Sequence, residues 1–249
     1  MRILTLLAAF FLFNANAFAQ VATIAVASNM KDGFTEIATA FRSAGKPELR
    51  VVYGSSGNLA TQILNGAPFG LFVAADEQFP LELFKGGRTI DEGSIYAVGK
   101  LAMITKSTSG IHLLDSKAAI TNALTKANKV AIAKPELAPY GRAAIQYLKA
   151  EGLWGLVKDK LVYADNIGAA TAYVASGAAD VGFTAYSLAK SPELSKQASF
   201  LLLDTKMYEP IQQRMVLVKG APQEAVDLYR FMLGPQAKAI LQKYGYTTP

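Results

Sequence analysis

Short apolar segments alternate with amphipathic segments along most of this 249-residue chain. The apolar segments are too short for helices, and several are rich in β-branched residues, so they indicate buried strands. Strands are predicted at 21–27, 50–53, 71–74, 95–105, 130–133, 160–163, 181–184, 200–203 and 214–218. Helices are predicted at 30–44, 78–85, 141–151, 168–176, 222–233 and 235–244, with a short one around Leu59–Leu64. This alternation predicts an α/β fold with mainly parallel sheets.

The length of the chain favours two lobes. Setting aside an N-terminal segment described below leaves roughly 230 residues, which is large for one sheet of this kind. Hydrophobic residues make up 51% of the chain and charged residues 18%, as in an ordinary globular protein. Because no Pro- or Ser-rich linker is visible, we predict that strands run directly between the lobes. Lobes joined in this way close on a ligand in the cleft between them.

The first 19 residues read as a secretory signal peptide. Arg2 supplies a short positive region, Ile3–Phe13 is an apolar run, and Ala17–Ala19 has the small-residue pattern of a cleavage site. The mature chain is therefore predicted to begin at Gln20 and to reside in the periplasm. No cysteine follows the segment to carry a lipid anchor, and no later apolar run reaches the roughly 18 residues that a membrane helix needs.

Composition excludes several kinds of site. The chain has no cysteine and one histidine, His112, so disulfides, thiol catalysis, cysteine metal sites and sites built on two histidines are excluded. The formal net charge is +6, and its Lys and Arg residues are scattered along the chain. Scattered charge on an exported chain argues against nucleic acid as a partner. A mild positive field does favour the approach of an anion.

Three strand-to-helix junctions are candidates for a binding site: Ala25–Met30, Val52–Leu59 and Lys134–Gly141. In open α/β sheets, ligands bind beyond the carboxyl ends of the strands. Helix N-termini at that edge present free N–H groups and a positive dipole end, which suits an anion. The alternative is purely structural, because Ser and Asn at these positions also act as helix caps, worth about 1 kcal/mol each.

Seven short motifs occur in order along the chain. They are Ala27-Ser28-Asn29, the segment 54–63, Gly66-Ala67-Pro68, the segment 71–76, Pro139-Tyr140-Gly141, the segment 234–237 and Tyr244-Gly245-Tyr246. In this order they make the chain resemble the periplasmic molybdate-binding proteins that supply ABC transporters. The resemblance covers nearly all of the chain after the signal peptide.

This resemblance implies a two-lobed type II periplasmic-binding-protein fold, in which mixed sheets are flanked by helices and the ligand cleft lies between the lobes. The predicted division is residues 20–102 and 209–249 for the first lobe and 103–208 for the second. The implied function is capture of molybdate, and of tungstate, for uptake by an ABC transporter. Another oxyanion such as sulfate or phosphate is the alternative ligand. The implied partners are membrane permease subunits, and a monomer without cofactor or catalytic activity is expected.

The resemblance also implies five ligand contacts. Ser28 and Ser56 match the two hydroxyl residues of the family, and they would hold molybdenum only as its oxyanion. Asn29 follows Ser28 and matches a backbone N–H donor. Tyr140 and Ile167 match backbone donors from the other lobe.

The chain departs from some members of the family at one position. Where those members have a tyrosine, it has Ala185 followed by Tyr186. The phenolic hydroxyl of Tyr140 is the alternative source of this further contact.

Two rival kinds of site have little support in the sequence. An enzyme would need a titratable group in the cleft, and among the three junctions only Glu136 offers one. A binder of organic acids would normally use an arginine fork, and the nearby Arg142 is expected to face solvent. Glu136 and Asp165 are expected to point away from the cleft, because a carboxylate repels an anion.

Three other residues have structural interpretations. His112 is expected in a surface loop, and Trp154 is expected to pack between a helix end and the core. Asp76 follows a strand and precedes a helix, so it is expected to be a helix cap or a residue of the lobe interface.

Overall fold

A computed structural model describes residues 21–249, which form two five-stranded sheets flanked by helices. The strands are β1 Thr23–Ala27, β2 Arg50–Gly54, β3 Leu71–Val73, β4 Ser94–Gly99, β5 Leu101–Lys106, β6 Val130–Ala133, β7 Leu161–Ala164, β8 Val181–Ala185, β9 Ala198–Leu202 and β10 Ile211–Leu217. The predicted α/β class is confirmed. The predicted signal peptide, 1–19, lies outside the described residues. Within 21–249, no helix combines the length and apolar character needed to cross a bilayer.

Within residues 21–249, ten α-helices connect and cover these strands. They are α1 Lys31–Ser43, α2 Ser56–Leu64, α3 Gln78–Lys85, α4 Lys117–Lys126, α5 Pro139–Ala150, α6 Trp154–Val157, α7 Ile167–Ser176, α8 Tyr186–Ala189, α9 Gln223–Leu233 and α10 Pro235–Lys243. Short 3-10 turns span Ser28–Met30, Lys158–Lys160, Leu194–Lys196 and Thr205–Met207. Helix α4 was not among the predicted helices, although Ile120, Ala123 and Leu124 bury one face of it at helical spacing.

The two sheets share one pattern. The first has the order β2-β1-β3-β10-β4, and the second has the order β7-β6-β8-β5-β9. In each sheet two strand pairs are parallel and two are antiparallel. The prediction of mainly parallel sheets was therefore wrong. In the first sheet β10 runs antiparallel to both of its neighbours, and in the second sheet β5 does the same. Mixed sheets agree with the expectation from family resemblance.

Buried side chains form a separate core for each sheet. Helices α1, α9 and α10 cover one face of the first sheet with apolar residues such as Phe34, Phe41 and Leu228. Helices α2 and α3 cover its other face through Leu59 and Leu83. The second sheet is enclosed mainly by α4, α5 and α7. Each lobe thus has its own apolar interior, as two bodies that close on a ligand require.

The apolar run 95–105 is not one strand. It divides into β4 in the first sheet and β5 in the second, and the chain crosses between the sheets at Lys100. Glycine is required beside the crossing, because a Cβ on Gly99 would lie 2.1 Å from the Tyr140 hydroxyl. The chain returns to the first sheet between β9 and β10. At the first crossing one strand leads directly into the next, as predicted, whereas the second crossing spans residues 203–210 and contains the Thr205–Met207 turn.

Candidate functional site

Four helical N-termini converge between the two sheets. In the first sheet the parallel strands β1 and β2 lead into the Ser28–Met30 turn and into α2. In the second sheet the parallel strands β6 and β7 lead towards α5 and α7. Because all four follow the carboxyl ends of parallel strands, their N–H groups point into the space between the lobes.

A small cavity lies at this meeting point. Its volume is about 10 Å³, measured as the space open to the centre of a water-sized sphere. It is lined by Ala27, Ser28, Asn29, Gly54, Ser55, Ser56, Ala75, Ala138, Pro139, Tyr140 and Ile167. The structure therefore brings all five predicted contact residues together. The lining has no carboxylate, ammonium, guanidinium or imidazole group, so the site offers uncharged donors only.

The hydroxyls of Ser28 and Ser56 are arranged as donors towards the cavity. Ser56 is fully buried, and its Oγ accepts the Ala75 N–H at 2.9 Å. The Ser28 Oγ accepts the Gly168 N–H from the opposite lobe at 3.3 Å. Since a serine hydroxyl has one proton and two lone pairs, accepting a backbone N–H leaves its proton free to donate.

Helix capping is carried out by neighbouring residues. The Ser55 side chain caps α2 by accepting from the Asn58 N–H, and the Asn166 side chain caps α7 by accepting from the Ala169 N–H. Ser56 and Ile167 are the first residues of these helices, so their N–H groups have no partner within the helix. The purely structural alternative therefore applies to Ser55 and Asn166, and it does not account for Ser56.

Direct contacts hold the two lobes together around the cavity. The Gly57 N–H at the start of α2 donates to the Leu137 carbonyl of the opposite lobe at 2.9 Å. The Arg142 guanidinium pairs with the Asp76 carboxylate, also across the cleft. The expectation that Arg142 faces solvent was wrong, because Asp76 provides a buried partner that is distant in sequence. The expectation for Asp76 is confirmed, since it lies at the lobe interface and also accepts from the Phe79 N–H.

The Asp76 carboxyl has a perturbed pKa. Burial raises its pKa, and the neighbouring Arg142 opposes that shift. Asp76 does not line the small cavity. It therefore belongs to the lobe contact and not to the anion-facing surface.

A buried polar network lies behind the cavity, and sequence reasoning missed it. Gln213 on β10 is fully buried; its Nε2 donates to the Tyr140 hydroxyl at 3.0 Å, and its Oε1 accepts from Asn29 Nδ2 at 3.0 Å. The Tyr96 hydroxyl also reaches Gln213 Oε1, and the Tyr246 hydroxyl accepts from Asn29 Nδ2 at 2.8 Å. Burial raises the pKa values of all three tyrosines, so their hydroxyls stay protonated. Its strand also carries Gln212 and Arg214, so no sequence signal singled out Gln213.

The remaining predicted residues lie away from the cavity. Glu136 is exposed, and Asp165 is exposed and paired with Lys134 at 2.7 Å, so neither carboxylate faces the site. His112 is exposed in a loop. Trp154 packs partly buried against the second core. These four placements agree with the sequence-based expectations.

Ala185 and Tyr186, the position of departure from the family, do not line the cavity. Ala185 ends β8, and the Tyr186 N–H donates to the carbonyl of Lys100 at the chain crossing. The Tyr186 ring packs edge-on against Phe200. Within the described chain, His, Asp and Glu side chains form no cluster of three or more that suits a metal ion.

Comparison with known proteins identifies the family. A family model described as bacterial extracellular solute-binding protein matches residues 22–247. The chain belongs to this family. Its sequence is 36% identical to that of the molybdate-binding protein ModA of Rhodobacter capsulatus over 227 residues, which cover 90% of this chain and 87% of the relative. It is 34% identical to ModA of Azotobacter vinelandii over 226 residues, covering 90% and 88%.

The fold of this solute-binding protein agrees with a solved relative. The Azotobacter vinelandii periplasmic molybdate-binding protein superposes with a TM-score of 0.83 at 31% identity, covering 92% of this chain and 99% of the other. This agreement confirms the predicted two-lobed fold and the predicted resemblance to molybdate-binding proteins. The cavity lies between the two lobes, and ligand sites occur preferentially at such domain interfaces.

Proposed function

We propose that this solute-binding protein captures molybdate in the cavity between its lobes and delivers it to an ABC transporter. The observation that carries the proposal is the cavity itself, which is small, buried and lined by uncharged donors from four helical N-termini. The relatives named molybdate-binding proteins support the choice of anion. The proposed contacts are the hydroxyls of Ser28 and Ser56 and the backbone N–H groups of Asn29, Tyr140 and Ile167.

The donor set suits a fully deprotonated oxyanion. An anion that leaves water loses a large hydration energy, which only direct hydrogen bonds can replace. Hydrogen bonds to a charged acceptor contribute about 1.5–3 kcal/mol each, and helix N-termini add favourable dipoles. Because these donors carry no charge, they require no burial of a cationic side chain. Selective capture follows from the number and placement of donors.

The size of the cavity argues against an organic ligand. Pockets for drug-sized molecules have volumes of roughly 300–1,000 Å³, whereas this cavity is about 10 Å³. This volume is close to the roughly 10–15 Å³ that a single water needs, so the lobes must part slightly to admit even a compact tetrahedral anion with four oxygens and a central atom, and an organic ligand would require a far larger opening. Tungstate has the same shape and charge as molybdate, and we propose that it binds at the same site.

The setting proposed for this function is the periplasm. The predicted signal peptide directs export with cleavage before Gln20, and the family is extracellular. Permease subunits of the transporter are the proposed macromolecular partner, and the protein is proposed to act as a monomer without cofactor. The lobe boundaries predicted above, 20–102 with 209–249 and 103–208, stay a prediction. An enzymatic role is not proposed, because the cavity presents no nucleophile paired with a base.

Calorimetry of the ligand-stripped protein against molybdate, tungstate, sulfate and phosphate tests the proposal. We expect tight binding of molybdate and tungstate and much weaker binding of the other two anions. Submicromolar binding of sulfate or phosphate without a molybdate signal would refute the molybdate assignment. Ser28→Ala is the matched variant, and it should weaken molybdate binding without changing the order of the anions.

A further inference from the structure

The buried network behind the cavity contains two hydrogen-bonding deficits. The Tyr96 hydroxyl lies 2.8 Å from the Ala74 carbonyl and 2.8 Å from Gln213 Oε1, yet it has one proton for these two acceptors. Asn29 Oδ1 is buried, and no group in the described chain donates to it. Buried polar groups are normally paired, so both deficits need an explanation.

A half-turn of both side-chain amides removes the conflict at Tyr96 and replaces the unpaired Asn29 oxygen by an unpaired Asn29 amide nitrogen. Such a turn exchanges the oxygen and nitrogen of an amide at almost unchanged positions. Turning Gln213 places its Nε2 against the Tyr96 hydroxyl, which then donates to Ala74. Turning Gln213 alone would oppose its Nε2 to Asn29 Nδ2 across 3.0 Å, two donors face to face. The two amides must therefore turn as a pair.

The turned pair has a consistent set of donors and acceptors. Gln213 Nε2 donates to the Tyr96 hydroxyl and to Asn29 Oδ1, and Gln213 Oε1 accepts from the Tyr140 hydroxyl. The Tyr246 hydroxyl donates to Asn29 Oδ1 and gives up its hydrogen bonds to Ser187 and to the Asn29 carbonyl, and Ser187 keeps its own bond to that carbonyl. One group is left without a protein partner, the Asn29 Nδ2, and Asn29 lines the cavity.

We propose that Gln213 is a positioning residue, which turns the Asn29 side-chain amide so that its N–H and not its oxygen serves the bound anion. This inference rests on the proposed function. The orientation determines the sign of the interaction, because an amide oxygen repels an oxyanion whereas an amide N–H attracts it. The Tyr140 hydroxyl uses its proton on Gln213, so Tyr140 contributes its backbone N–H. Gln213 itself does not line the cavity and acts through Asn29.

Nuclear magnetic resonance of the ligand-free wild-type protein, labelled with ¹⁵N at Asn and Gln, tests the orientation directly. We expect nuclear Overhauser effects from the Gln213 Nε2 protons to the ring of Tyr96. Effects to the ring of Tyr140 instead would overturn the proposal, because they would place the nitrogen at the opposite end of the amide. On addition of sodium molybdate, the Asn29 Nδ2 protons should show a large change in chemical shift. Unchanged Asn29 signals at saturation would also overturn it.

Binding measurements separate positioning from stability. Gln213→Leu should raise the Kd for molybdate about tenfold or more, as expected when a donor to a charged acceptor loses its orientation. Gln146→Leu is the matched control, because Gln146 accepts from the Glu209 N–H outside the network. Equal Kd values for the two folded variants would overturn the role of Gln213. If the wild type binds no molybdate, the proposed function fails, and the Overhauser effects still decide the amide orientation. They also decide it if Gln213→Leu does not fold.

Discussion

Replacing Ser56 by alanine should weaken molybdate binding, because the hydroxyl proton is lost, and should lower stability, because the hydroxyl oxygen is lost. The Ser56 Oγ accepts the Ala75 N–H at 2.9 Å, and its own proton is free for the ligand. Removing the oxygen leaves the Ala75 N–H buried without an acceptor in both the free and the bound protein. It also removes one donor from the bound anion.

The two losses have different magnitudes and different readouts. A lost hydrogen bond to a charged acceptor is worth about 1.5–3 kcal/mol, so the Kd should rise about 10- to 150-fold. An unpaired buried N–H costs about 1–3 kcal/mol of stability. For a protein of this size each kcal/mol lowers the melting temperature by about 2–4 °C. Calorimetry gives the first quantity, and thermal unfolding without ligand gives the second.

Ser116→Ala is the matched control for this experiment. Ser116 caps α4 by accepting the Ala119 N–H, and it is exposed and absent from the cavity lining. The control should lose about 1 kcal/mol of stability and keep the wild-type Kd. If Ser56→Ala melts at a lower temperature but titrates like the wild type, Ser56 is a structural residue and the assignment of its proton to the anion is wrong.

Four further predictions concern closure, the lobe contact and pH. Gly57→Ala would bring a Cβ within 3.0 Å of the Leu137 Cα across the cleft. Overpacking of this kind costs about 1–3 kcal/mol, so the Kd for molybdate should rise about 5- to 150-fold. An unchanged Kd in calorimetry would contradict the closed arrangement of the lobes. Arg142→Met leaves the Asp76 carboxylate buried without its partner, so the melting temperature should fall. Adding Asp76→Leu removes the unpaired charge, so most of the melting temperature should be recovered. A double variant no more stable than the single one would show that the Arg142–Asp76 ion pair does not stabilise the lobe contact. The wild-type Kd should be flat from pH 6 to 9, because the donors do not titrate there, and a tenfold change near pH 6.5 would place a titrating group in the cavity. Because burial raises the pKa of Tyr140, the folded protein keeps a proton that the unfolded chain loses above about pH 10, so thermal unfolding should show stability falling at higher pH.

Local patterns in the sequence predicted most of the elements but not the crossing between lobes. Strand and helix periods depend on neighbouring residues, so β1, α1 and α9 were predicted close to their observed bounds. The run 95–105 is apolar on both sides of the point where the chain changes sheets, because β4 and β5 are each buried in their own core. Periodicity cannot distinguish one long strand from two short ones, and here Gly99 and Lys100 were the only interruption.

The candidate site was predictable where its residues lie in contiguous motifs. Ser28, Asn29 and Ser56 lie at strand-to-helix junctions, and their grouping around one cavity follows from the parallel order of the strands. The pairing of Arg142 with Asp76 was not predictable, because the partners are 66 positions apart and lie in different lobes. Gln213 was missed for the same reason, since its partners come from distant parts of the chain.

The order of strands in the first sheet has a consequence for how the chain is completed. Strand β10 lies between β3 and β4, so β4 has no neighbour in its sheet until residues 211–217 have been synthesised. The second sheet is continuous in sequence, from β5 to β9, and all of its pairings are available before β10 is made. During N-to-C synthesis the second lobe can therefore form while the first waits as an unclosed sheet. The lobe that begins the polypeptide is thus the one whose sheet is completed last.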